Sequence, residues 1–89
     1  MHERALIQDL VGRVLQLADD EHATAVARVR VRLGALSHFS PDHFREHFED
    51  AARGTAAEGA EIEAVVSSDT AASDASGVVL ENVELEVTG

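Results

Sequence analysis

The sequence predicts an α/β domain in which two helices pack on one face of a three-stranded mixed sheet, in the order helix, strand, helix, strand, loop, strand. Three observations carry this. Two segments repeat apolar residues at three- and four-residue spacing, three others alternate apolar and polar with a period of two, and each alternating segment carries charge on its second face. Strands with one polar face leave that side of the sheet to water, so both helices cover the other side, as an open two-layer sandwich. With 89 residues the chain has room for one core, so residues 1–89 form a single domain.

The first helix is read over residues 3 to 19. Leu6, Leu10, Val14 and Leu17 form its stripe with Ile7, Val11 and Ala18 beside them, and Glu3 lies in the first turn, where the helix dipole favours a carboxylate. From Ala25 the period becomes two. Ala27, Val29, Val31 and Leu33 alternate with Arg28, Arg30 and Arg32, and Gly34 ends the strand. Ser40 followed by Pro41 reads as an N-cap and first helical position, opening a helix over 41 to 53 with Phe44, Phe48, Ala51 and Ala52 on its buried face. Arg53 is placed in its last turn and Gly54 terminates it.

Two further strands follow. Ala60, Ile62, Ala64 and Val66 alternate with Glu61 and Glu63, and Val83, Leu85 and Val87 alternate with Glu84 and Glu86. Between them Ser67 to Gly77 reads SSDTAASDASG, which has no large side chain and predicts a flexible polar loop. Three arginines on the first strand are best neutralised by a glutamate strand on each side, so that strand is expected in the centre.

Composition narrows the function. Seven basic residues, all Arg, against seventeen acidic ones give a net charge of −10, and the last 36 residues hold eight acids and no base. Such a balance repels phosphates, which argues against nucleic acid and membrane surfaces as partners. With no cysteine, any metal must be held by nitrogen and oxygen. No nucleophile elbow, P-loop or dinucleotide fingerprint is present, so the chain is expected not to be an enzyme. It shows no signal-peptide pattern, so a cytoplasmic location is expected.

Histidine is the conspicuous residue, with five in the chain. At His2, a terminal amine, the backbone nitrogen of residue 2 and the imidazole form adjacent chelate rings, and the amide nitrogen of Glu3 offers a fourth donor. Four nitrogens in a plane suit Ni(II) or Cu(II). The alternative is a polar residue at a frayed terminus. His43 and His47 are four apart on the second helix and could chelate together, with His38 in the preceding loop as a third ligand; alternatively they belong to a solvated helix face.

Taken together, Met1-His2-Glu3 opening an amphipathic helix, the strand ending Leu33-Gly34-Ala35-Leu36-Ser37, the proline a few residues later, and Arg53-Gly54-Thr55-Ala56-Ala57-Glu58-Gly59-Ala60 before an acidic strand resemble the HypA/HybF family of hydrogenase nickel-incorporation proteins. The resemblance covers about residues 1 to 66 and, more loosely, 78 to 88. It implies a metallochaperone that binds Ni(II) at Met1, His2 and Glu3 and passes it, with a HypB-type GTPase, to the large subunit of a [NiFe] hydrogenase. In that site Met1 gives its amine, His2 its backbone nitrogen and imidazole, and Glu3 its backbone nitrogen, with Met1 retained because His2 is bulky. The family's insertion carries two CxxC pairs that hold zinc, whereas here residues 67–77 contain no cysteine, so no zinc site is expected. The remaining elements need nothing from that insertion to fold. A second reading, of another class, is a metal-independent adaptor in hydrogenase assembly that keeps the fold.

Overall fold

Residues 3–73 and 75–88 are described by the structure, a computed structural model; of Glu3 it describes the backbone alone. The elements are α1 (Glu3–Asp20), β1 (Ala25–Leu33), α2 (Pro41–Ala52), β2 (Glu61–Val66) and β3 (Val78–Glu86). The sheet order is β2-β1-β3, with the arginine strand central as its charge pattern predicts. β1 runs parallel to β2, joined by the crossover helix that parallel pairing requires, and antiparallel to β3, so the sheet is mixed.

One apolar cluster fills the space between the layers. α1 contributes Ile7, Leu10, Val11, Val14 and Ala18; the central strand contributes Val26, Val29, Val31 and Leu33; α2 contributes Phe44, Phe48 and Ala52. Phe44 and Phe48 are fully buried, with ring centroids 5.9 Å apart. No polar or charged residue is buried among the described residues, so every charge sits on the surface. α2 starts as its sequence requires: the Ser40 hydroxyl accepts from the His43 amide at 3.1 Å, and Pro41 follows. Arg45 ties α2 to the edge strand, its Nε donating to the Ile62 carbonyl at 3.3 Å.

Several inward positions differ from strict alternation. In β1, Val26 is buried where Ala27 is expected, because the pairing with β3 skips a residue between Val26 and Arg28 and the bulge resets the phase. A second irregularity leaves Glu81 as the extra residue of β3, so Leu80 pairs with Val31 while Asn82 pairs with Arg30. β3 therefore begins at Val78, ahead of the alternating run. Val87 is 60% exposed because pairing ends at Glu86, opposite Ala25. Val66 is 49% exposed, since it pairs with Leu33 at the last position of an edge strand. Leu17 is exposed where a groove between α1 and β3 stays open. Arg53 is the C-cap of α2, one residue past its last turn, and Gly54 follows at φ +81°.

The two sequence blocks that carry the family resemblance do structural work. In Arg53 to Ala60, the Thr55 hydroxyl donates to Ala52 O at 2.6 Å and accepts from the Ala57 amide at 3.1 Å, while Ala57 and Ala60 are buried. The Ala56 carbonyl then accepts from the Val26 amide at 2.9 Å. In Leu33 to Ser37, the Gly34 and Leu36 amides donate to Gly77 O and Ala75 O at 2.8 and 2.7 Å, which ties down the base of the 67–77 loop.

Candidate metal centre

Of the nitrogen donors at the start of the chain, Met1 and His2 lie outside the described residues, as does the side chain of Glu3. The structure shows what that segment is attached to. Helix α1 begins at Glu3 and is fixed from its second turn by buried Ile7, Leu10 and Val11. Its first turns run beside the second half of α2, and Arg4, Ile7 and Gln8 face His47, Asp50 and Ala51 across a shallow cleft of about 250 Å³.

On α2, His43 and His47 are exposed and come together, their rings stacked at 4.4 Å between centroids with planes 23° apart. Phe39 meets the His43 ring edge-on at 6.3 Å and the Phe44 ring at 5.6 Å, joining the pair to the core. His38 precedes α2 in the chain. It occupies the left-handed region at φ +64° in the loop before α2, and no group of three or more His, Cys, Asp or Glu side chains able to hold a metal is gathered among the described residues. Asp50, which the sequence reading passed over, lies on the same helix face because 43, 47 and 50 follow helical spacing; it is paired with Arg53 at 3.1 Å. A thiolate zinc site does not fit this chain, which has no cysteine to build one.

The fifth histidine, His22, has a structural place. At φ +56° it follows the end of α1, with its amide donating to Asp19 O at 3.1 Å and the Ala23 amide to Ala18 O at 2.8 Å. That pair of bonds is the Schellman pattern, with histidine in the position that glycine usually takes.

The outer face of the sheet is a self-neutralising ladder. Arg28 reaches Glu61, Glu63 and Glu84 at 3.5, 3.7 and 3.5 Å, and Arg30 reaches Glu63 and Glu81 at 3.2 and 3.4 Å. Arg32 reaches Glu81 at 3.1 Å. This face therefore offers no cluster of unpaired positive charge. No helix among the described residues is long and apolar enough to cross a membrane.

The chain matches, over residues 1–83, the family model described as hydrogenase/urease nickel incorporation, metallochaperone, hypA. The hydrogenase maturation factor HypA of Archaeoglobus fulgidus is 38% identical over 63 residues, 71% of this chain and 57% of that protein. The HypA of Thermococcus kodakarensis is 46% identical over 65 residues, 73% of this chain and 47% of that one. The chain thus spans about half the length of the curated relatives it matches. The solution structure of the Ni metallochaperone HypA from Helicobacter pylori shares the fold, with a TM-score of 0.79 at 17% identity, covering 99% of this chain and 100% of that one. On the family match across nearly its whole length, this chain belongs to the HypA family of nickel-incorporation proteins.

Proposed function

We propose that the protein is a nickel metallochaperone for [NiFe]-hydrogenase maturation, binding its cargo Ni(II) at Met1, His2 and Glu3 and delivering it to the hydrogenase large subunit with a HypB-type GTPase in the cytoplasm. The observation that carries the reading is the family match, which begins at residue 1 and so includes the Met-His-Glu segment. Its chemistry is that of a planar four-nitrogen chelate, which suits Ni(II) and disfavours ions that want a tetrahedron or oxygen ligands. A helix anchored one turn downstream gives that segment a fixed base. Delivery proceeds without a zinc module, because the chain has no thiolate to hold one.

The test is a Ni(II) titration of untagged protein followed by visible absorption. The reading expects the d–d band of square-planar nickel to saturate at one equivalent and to be abolished in His2→Ala. Persistence of that band in His2→Ala would refute it. Capture of hydrogenase subunits that is indifferent to His2 and to chelators would instead favour the metal-independent adaptor.

A further inference from the structure

We propose that His43 and His47 form a second metal site on α2, a two-imidazole chelate for a late first-row divalent ion, using donors other than Met1, His2 and Glu3. The geometry supplies three requirements. Residues four apart on a helix share a face, and the two rings already touch at 4.4 Å. Both are exposed, so an ion reaches them from water. Their backbone is rigid, because the residue following each one, Phe44 and Phe48, is fully buried, and Phe39 packs its edge against the His43 ring.

The stacked rings do not yet aim their nitrogens at one point. Stacked rings keep their in-plane lone pairs in two neighbouring, nearly parallel planes, so binding turns each ring about its Cβ–Cγ bond, a torsion with a broad, soft profile. Two imidazole nitrogens then occupy neighbouring positions about the ion and water fills the rest, a coordination open to Ni(II), Cu(II) and Zn(II). Asp50, one turn further along the same face, together with Glu46 and Glu49 beside His47, favours the cation, while Arg53, paired with Asp50, and Arg4 across the cleft oppose it. The chain's net charge of −10 favours the cation overall. Because both nitrogens must be unprotonated, occupancy falls as pH is lowered.

The experiment uses the His2→Ala chain, in which the amino-terminal chelate is absent, and Ni(II) as the probe. Calorimetry is expected to find one site that lacks the square-planar band. Adding His47→Ala should weaken it on the order of tenfold or more, since one imidazole can no longer hold the ion for the other. Adding His22→Ala and His38→Ala should leave it unchanged. In ring-resolved NMR of the same His2→Ala chain, paramagnetic broadening should strike His43 and His47 first. Circular dichroism keeps the reading independent of folding, since both side chains are exposed and α2 should survive. Absence of binding in the His2→Ala chain, or binding indifferent to His47, would overturn the second site and leave the amino-terminal reading to its own spectroscopic test.

Discussion

Two residues in left-handed backbone show how single positions set local stability, and they do so in opposite senses. His22 closes α1 at φ +56°, where a side chain costs roughly 1 kcal/mol more than glycine. His22→Gly is therefore expected to raise unfolding free energy by about 1 kcal/mol in urea denaturation; an unchanged or lowered midpoint would contradict the assignment. Gly59 sits at φ +82° with nothing near the place a Cβ would occupy, so Gly59→Ala meets strain without a clash. It should destabilise by about 1 kcal/mol, whereas a stabilising effect would mean the turn relaxes. The cap of α2 was legible in the sequence because Ser-Pro states its chemistry directly. The cap of α1 was not, because histidine in place of glycine gives no signal.

At the scale of elements, the helices and the central strand follow from periodicity, while the partner register does not. The expectation that glutamate strands flank the arginine strand held because opposite charges facing each other across strands are favourable. The two bulges escaped the reading because a period-two pattern is blind to one extra residue, although Leu80 and Val83, three apart, mark the phase change in β3. The bulge at Glu81 puts one carboxylate against both Arg30 and Arg32. Exposed pairs are individually weak, so Glu81→Gln should cost only about 0.5 kcal/mol in chemical denaturation, and the cost should shrink in high salt. A cost several times larger would show that the bulge itself depends on that charge.

For the whole molecule, one core holds two helices to one face of a sheet, and the sequence blocks that carry the family resemblance serve its turns, while the proposed chemistry falls to histidines. Loss of either central ring should be felt throughout: Phe48→Ala is expected to cost about 3–5 kcal/mol, comparable to the total stability of many domains of this size, and to leave the chain largely unfolded by circular dichroism at moderate temperature. A folded, cooperative variant would show that the core repacks. The sequence pointed to the His43–His47 pair through spacing alone, and the structure brings those rings together. The proposed amino-terminal chelate rests on chemistry and family membership. Its decisive property is that it needs the terminal amine itself. Nickel titration of the chain beginning at Met1, beside a chain with one glycine placed ahead of Met1, tests this most directly. The account predicts a square-planar Ni(II) band in the first and none in the second. The same band in both would contradict it.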